Sequence, residues 1–209
     1  MSKESKIILL ITGLVLAGIA VLIAFVNSNQ QDPTAIQERI VREDSRTIGT
    51  GEVQVVEFGD YQCPGCASAH PTVEKLKEEF EGKITFTFRN FPLPGHANGR
   101  AAAEAAEAAG NQGKFWEMHD KLFETQTQWG PLPDPTSLFS QYAEELKLDK
   151  EKFIDDVTSE ANKDRITTDQ SDGYAVGVNA TPTFFINGQR QSSFEYEPLK
   201  KAIEAELKK

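Results

Sequence analysis

Cys63 and Cys66 are the only two cysteines among 209 residues, and only Pro64 and Gly65 stand between them. Two thiols three positions apart can close into a disulfide and reopen, and the thiolate is the species that attacks. The residues before them, Val53-Gln54-Val55-Val56-Glu57-Phe58, are β-branched and apolar enough to read as a buried strand. Those after them, residues 67–80, place Ala69, Val73, Leu76 and Phe80 three and four apart, the spacing of an amphipathic helix. A C-x-x-C at such a junction sets its first sulfur over unpaired backbone N–H groups, where the helix dipole favours a thiolate. Thiol–disulfide exchange is the chemistry this arrangement allows.

The elements that must hold the pair follow in order. Residues 84–91 alternate apolar and polar as a second strand, and Gly82 closes the helix before it. A β-α-β order of this length favours a parallel pair. Helices are predicted at 98–109, 114–125, 136–146, 149–157 and about 161–176, with Pro131, Pro133 and Pro135 marking a loop among them. They are too many for one crossover and read as a helical insertion over about residues 96–176. Thr183-Phe184-Phe185-Ile186 resumes the sheet, and Asn187-Gly188 signals a hairpin to a return strand at 189–194. A terminal helix is expected at 198–207. The pattern predicts an α/β layer fold with helices over a mixed sheet.

Charge and the first residues bear on where this happens. Twenty-two Lys and Arg stand against 32 Asp and Glu, a formal net charge of −10. That excludes the basic stripe of a nucleic-acid binder. Residues 7–26 carry no charge, and at 1.5 Å per residue they span roughly 30 Å, the thickness of a bilayer core. Lys3 and Lys6 precede the run, and the next basic residue is Arg39. The expectation is an uncleaved signal-anchor over residues 1–26, N-terminus cytoplasmic, in preference to a cleaved signal peptide. Residues 27–46 then read as a polar tether containing a possible short helix at 35–41. Export would set the cysteines where disulfides persist.

Four blocks, in order and at fitting separations, resemble the DsbA-like branch of the thioredoxin superfamily, in its membrane-anchored form. They are residues 55–66, Phe88-Arg89-Asn90-Phe91-Pro92-Leu93, residues 105–123, and Thr181-Pro182-Thr183-Phe184-Phe185-Ile186-Asn187-Gly188. The resemblance implies a thioredoxin fold with an inserted helical domain over residues 47–209. It implies that Cys63 is the exposed nucleophile and Cys66 its buried partner. Thr181-Pro182 resembles the loop whose cis-proline faces the disulfide and pairs with an incoming peptide; by spacing alone the bond could equally be trans. With Pro64 and Gly65, these two residues are the expected substrate-binding positions. Glu57 resembles the family's buried acid, which takes the proton from Cys66 when that thiol attacks, although the strand pattern alone leaves its face open. Gly65 departs from the pattern, since typical soluble DsbA enzymes carry histidine there, and the expectation is a weaker oxidant.

The implied activity is disulfide donation to exported or cell-surface proteins with free cysteines. No organic cofactor is expected beyond the redox-active Cys63–Cys66 disulfide. A quinone-linked membrane reoxidant of the DsbB or vitamin-K-epoxide-reductase type is the implied partner. A reductase or isomerase remains an alternative, as does a metal-binding module using Cys63, Cys66 and His70. His96 and His119 read as structural or surface residues, and Trp116 and Trp129 as core of the insertion.

Overall fold

A computed structural model describes Gly18, Ile19 and residues 33–209. Gln37–Lys209 form one compact unit. The signal-anchor expected at residues 7–26 falls outside the described residues but for Gly18 and Ile19. Among the described residues no helix is long and apolar enough to cross a membrane.

The chain runs α1 (Pro33–Ile40), β1 (Arg46–Gly49), β2 (Val53–Gly59), α2 (Pro64–Glu79) and β3 (Ile84–Asn90). Then follow α3 (Gly99–Gly110), α4 (Phe115–Glu124), α5 (Gln126–Trp129), α6 (Thr136–Glu145), α7 (Lys150–Val157) and α8 (Glu160–Ala175). It closes with β4 (Thr183–Ile186), β5 (Gln189–Arg190) and α9 (Tyr196–Glu206). The sheet order is β1-β3-β2-β4-β5. β2 and β3 are parallel, with Glu57 opposite Phe88, and the other pairs are antiparallel. This is the α/β thioredoxin fold, with a mixed sheet and six helices between β3 and β4.

β2 is central and covered on both faces: Val55, Val56, Glu57 and Phe58 are all buried. Each buried Val or Phe is worth about 1.5–3 kcal/mol. α2 lays Cys66, Ala69, His70, Val73 and Leu76 along its buried stripe. In α3, Ala102, Ala103, Ala105, Ala106, Ala108 and Ala109 are all buried. Their small side chains let α4, α6, α7 and α8 pack against this helix.

The start of the domain differs from the sequence reading. Within the stretch taken as a tether, Ile40 is fully buried and Arg42 Nη2 donates to Asp172 Oδ1 at 2.8 Å. β1 pairs with β3, and the Thr47 and Thr87 hydroxyls meet at 3.0 Å. Four residues, three of them exposed, give too short a pattern for strand periodicity to register. The return strand, expected over 189–194, has only two residues. Ser193 Oγ accepts from the Glu195 backbone N–H at 3.1 Å and turns the chain towards α9. The hairpin lies where Asn187-Gly188 indicates, with positive φ at both residues (44° and 78°).

Arg89, at the end of β3, ties these pieces together from a fully buried position. Its Nε donates to Asp169 Oδ1 at 2.6 Å and its Nη2 to Asp172 Oδ2 at 2.8 Å, both acids on α8. Its Nη1 donates to the carbonyls of Arg39 and Ile40 at 2.8 and 3.0 Å. Removing one partner of a buried ion pair strands the other charge and costs about 3–5 kcal/mol. Arg89→Met is therefore expected to lose roughly that much in urea unfolding, and adding Asp169→Asn to recover part of it. Additive losses in the double variant would show that the pair is not coupled.

Candidate active site

β2 delivers the site and α2 begins it. Gly59, the last strand residue, has no room for a side chain: a Cβ would stand 2.4 Å from Phe88 Cε2. The next residues form a turn held by the Asp60 carboxylate, which sequence reasoning did not single out. It accepts from the Gln62 N–H at 2.8 Å and the Leu93 N–H at 2.8 Å, and lies 2.6 Å from His96 Nδ1. Gln126 Nε2 donates to the carbonyls of Tyr61 and Cys63 at 2.7 and 3.0 Å. Gln62 Oε1 accepts from the Asn98 N–H at 2.6 Å. The helical insertion thus clamps the loop before Cys63 by its own side chains. The available signal was an acidic residue two positions before a glutamine, immediately ahead of the C-x-x-C, as in an Asx turn.

Cys63 is the N-cap of α2, with Pro64 at the first helical position. Pro there gives up an N–H that would be unpaired anyway. Both cysteines are free thiols. Cys63 keeps 8% of its surface exposed and Cys66 none, so both are buried and Cys63 alone shows an edge. The Thr181–Pro182 peptide bond is cis. Cys63 Sγ lies 3.3 Å from the Thr181 carbonyl oxygen, and a Cβ on Gly65 would lie 3.2 Å from Pro182 Cδ. Cys63, Gly65, Thr181 and Pro182 therefore share one patch, with Pro64 exposed at its rim.

The two sulfurs are pushed apart in acidity. The Cys66 thiol hydrogen-bonds the Cys63 thiolate and is the largest influence lowering its pKa, to about 5. The backbone amides of Cys66 and Gly65 add to this, against partial burial. Burial first, then the bond to Cys63 and the charge of Glu57, raise Cys66 well above an ordinary thiol, although the Asp60 N–H donates to its sulfur at 3.4 Å.

Glu57 is 2% exposed, and its Oε1 has no hydrogen-bond partner. Burial, with the nearby Cys63 charge second, raises its pKa from 4.5 to about 8. The face left open by the strand pattern is thus an interior one.

His70 does not join the sulfurs. Its ligating atoms converge instead with those of His119 and Asp120, so the set Cys63, Cys66 and His70 is not assembled. His119 is buried against Tyr61 rather than at the surface. Trp129 is core, as expected, with Nε1 donating to the Leu122 carbonyl at 2.8 Å.

Two unequal thiols stand at a helix start, beside a cis-proline on a thioredoxin sheet, an arrangement suited to thiol–disulfide exchange. A family model described as "Thioredoxin" matches residues 42–205, and the chain belongs to that family, in its DsbA-like branch. Among solved structures it is similar to oxidised BdbD from Bacillus subtilis, at 29% identity and TM-score 0.72, over 79% of this chain and 94% of that one. A thioredoxin-like oxidoreductase from Silicibacter pomeroyi matches at 26% identity and TM-score 0.70, over 83% and 98% of the two chains. Alpha-DsbA1 from Wolbachia pipientis shares the fold at 21% identity and TM-score 0.72, over 82% and 94%. A curated relative, "Na(+)/H(+) antiporter NhaA 1" of Salinispora arenicola, is 40% identical over 78% of this chain. The match spans 24% of that protein, so this chain covers about a quarter of the curated relatives' length.

Two outcomes are expected from these acidities. Thiolate absorbance of the reduced protein should titrate with a midpoint of about 5, arising from Cys63 alone and absent in Cys63→Ser. A midpoint at the ordinary thiol value would contradict the hydrogen-bond geometry.

The second outcome concerns Glu57, whose folded pKa is raised. The native state holds its proton longer than the unfolded chain, so its effect on stability turns unfavourable as pH rises from 4.5 to about 8. In the oxidised protein, Glu57→Gln should gain on the order of 3 kcal/mol at pH 8 and nothing near pH 4. A gain independent of pH in chemical denaturation would refute that assignment.

Proposed function

We propose that the oxidised Cys63–Cys66 pair donates its disulfide to exported or cell-surface proteins with free cysteines. The observation that carries this is the split between the sulfurs: a Cys63 thiolate stabilised to a pKa of about 5 beside a buried, reluctant Cys66. A substrate thiolate attacks Cys63 Sγ, the Cys63–Cys66 bond breaks, and its electron pair leaves on Cys66. Cys66 is too basic to remain a thiolate in its apolar setting. Glu57, neutral below about pH 8, supplies the proton. A second substrate thiolate then attacks the substrate sulfur of the mixed disulfide, and Cys63 departs as a stabilised thiolate. The substrate leaves with two sulfurs oxidised, and the protein with two reduced.

The patch of Pro64, Gly65, Thr181 and Pro182 is where the peptide would lie, with the Thr181 backbone pairing to it. Gly65 keeps that surface low and contributes no charge, so thiolate stabilisation falls to hydrogen bonds and the helix start. No organic cofactor enters the exchange. Reoxidation of the dithiol needs an acceptor for two electrons, assigned here to a quinone-linked membrane partner of the DsbB or vitamin-K-epoxide-reductase type. The uncharged run at residues 7–26 supports anchoring in the cell membrane with the catalytic domain outside.

Equilibration of the full chain against glutathione buffers tests the direction of transfer. The expected reduction potential lies well above about −200 mV, and Cys63→Ser should form no disulfide in a reduced substrate. A potential near the roughly −270 mV of thioredoxin would make the protein a reductase.

A further inference from the structure

Behind the disulfide, α2 and α4 bring His70, His119 and Asp120 together, with one ligating atom from each within 4.8 Å of the others. None of the three takes part in the exchange chemistry. His70 is 7% exposed and His119 1%. His70 Nδ1 has no hydrogen-bond partner. Its Nε2 stands 3.6 Å from Asp120 Oδ1, too far for a hydrogen bond, and that oxygen is itself buried without a partner. A cation between them would satisfy the orphaned Asp120 Oδ1, and each orphaned buried polar atom costs about 1–3 kcal/mol.

We propose that His70, His119 and Asp120 form a mononuclear site for a divalent cation of the zinc type, bound by two imidazoles and one carboxylate with a fourth position left for solvent. Tetrahedral zinc with bonds of about 2.0–2.1 Å sets its ligand atoms roughly 3.4 Å apart. The His70–Asp120 edge, at 3.6 Å, already has that length. His119 Nδ1 lies 3.0 Å from the Tyr61 hydroxyl. With Nε2 on the metal, Nδ1–H donates to that oxygen, the outer-shell bond that fixes the tautomer of a ligating histidine. His70 is held by stacking on Phe123, with centroids 5.2 Å apart and planes at 28°.

Access and charge agree with a cation. A groove of about 900 Å³, lined by His70, Pro71, Glu74, Lys77 and Glu124 among others, runs past the cluster. Asp120 keeps 36% of its side chain exposed. The Lys77 ammonium faces the site but is paired with Glu74 at 2.7 Å, and Glu117 and Glu124 lend further negative charge. The nitrogen-rich set favours zinc over magnesium or calcium, which prefer all-oxygen shells.

The test is equilibrium dialysis of the full chain against Zn²⁺ in a Cys63→Ser/Cys66→Ser background, which removes the thiols as ligands. One equivalent should bind. His119→Gln and Asp120→Asn should each weaken binding by more than about tenfold, and Tyr61→Phe by about tenfold through the outer shell. Asp120 is partly exposed, so Asp120→Asn decides the matter even where a substitution at buried His119 disturbs folding. Absence of stoichiometric zinc in the thiol-free background would overturn the site, as would unchanged affinity in Asp120→Asn.

Discussion

The molecule depends on one inequality: Cys63 must hold a negative charge cheaply while Cys66, one helical turn away, must not. The two residues are chemically identical, so environment alone separates them. At the N-cap, Cys63 meets backbone amides that have no helical partner, and the Cys66 thiol, which donates to its thiolate. Cys66, one turn in, meets apolar packing and an acid. The difference makes the bond between them unstable in the useful sense, because breaking it releases a sulfur that is content to be charged.

Much of the fold exists to keep that inequality. A helix start is exposed by nature, and water would level the two sulfurs. Asp60, Gln62 and Gln126 tie the preceding loop to the helical insertion by hydrogen bonds, so Cys63 shows only 8% of its surface while its amide neighbours stay aimed. β4 brings Thr181 and Pro182 against the other side. Glu57 is the corresponding cost. An unpartnered carboxyl inside a sheet lowers stability at neutral pH, and it stands where a proton is needed when Cys66 leaves.

The sequence made the periodic parts of this legible and hid the parts that depend on contacts between distant segments. Seven residues of β2 and the i, i+3, i+4 stripe of α2 announce themselves, and so does Asn187-Gly188, because local sterics dictate the turn. The alanine run of α3 was readable as a helix, but not as the hub that four other helices pack on. β1 has four residues and little alternation, so only its pairing with β3 makes it a strand. Ile40, Arg39 and Arg42 look like tether until Arg89 and Asp172 are placed beside them. Asp60 was not singled out in the sequence, yet it organises three donors at once. The cis bond at Pro182 was open on spacing alone and was named only through the family resemblance.

The histidines show the same limit from another direction. His70 lies four positions after Cys66, and proximity in sequence suggested a shared metal site with the sulfurs. Four positions along a helix, however, is one turn of a cylinder 5.4 Å in pitch. A side chain there reaches the neighbouring helix more readily than the cap. α4 fills that space, and its His119 and Asp120 are adjacent in sequence, so one can sit buried while the other stays near solvent. Tyr61 then spans from His119 to within two residues of Cys63, its ring packed on Phe88 and Phe123 at 5.0 and 4.9 Å. Whatever fixes the His119 ring also fixes the back wall of the loop that presents the nucleophile. The exchange loop and the histidine cluster are thus joined through the Tyr61 side chain, which bonds His119 and packs on Phe88 and Phe123.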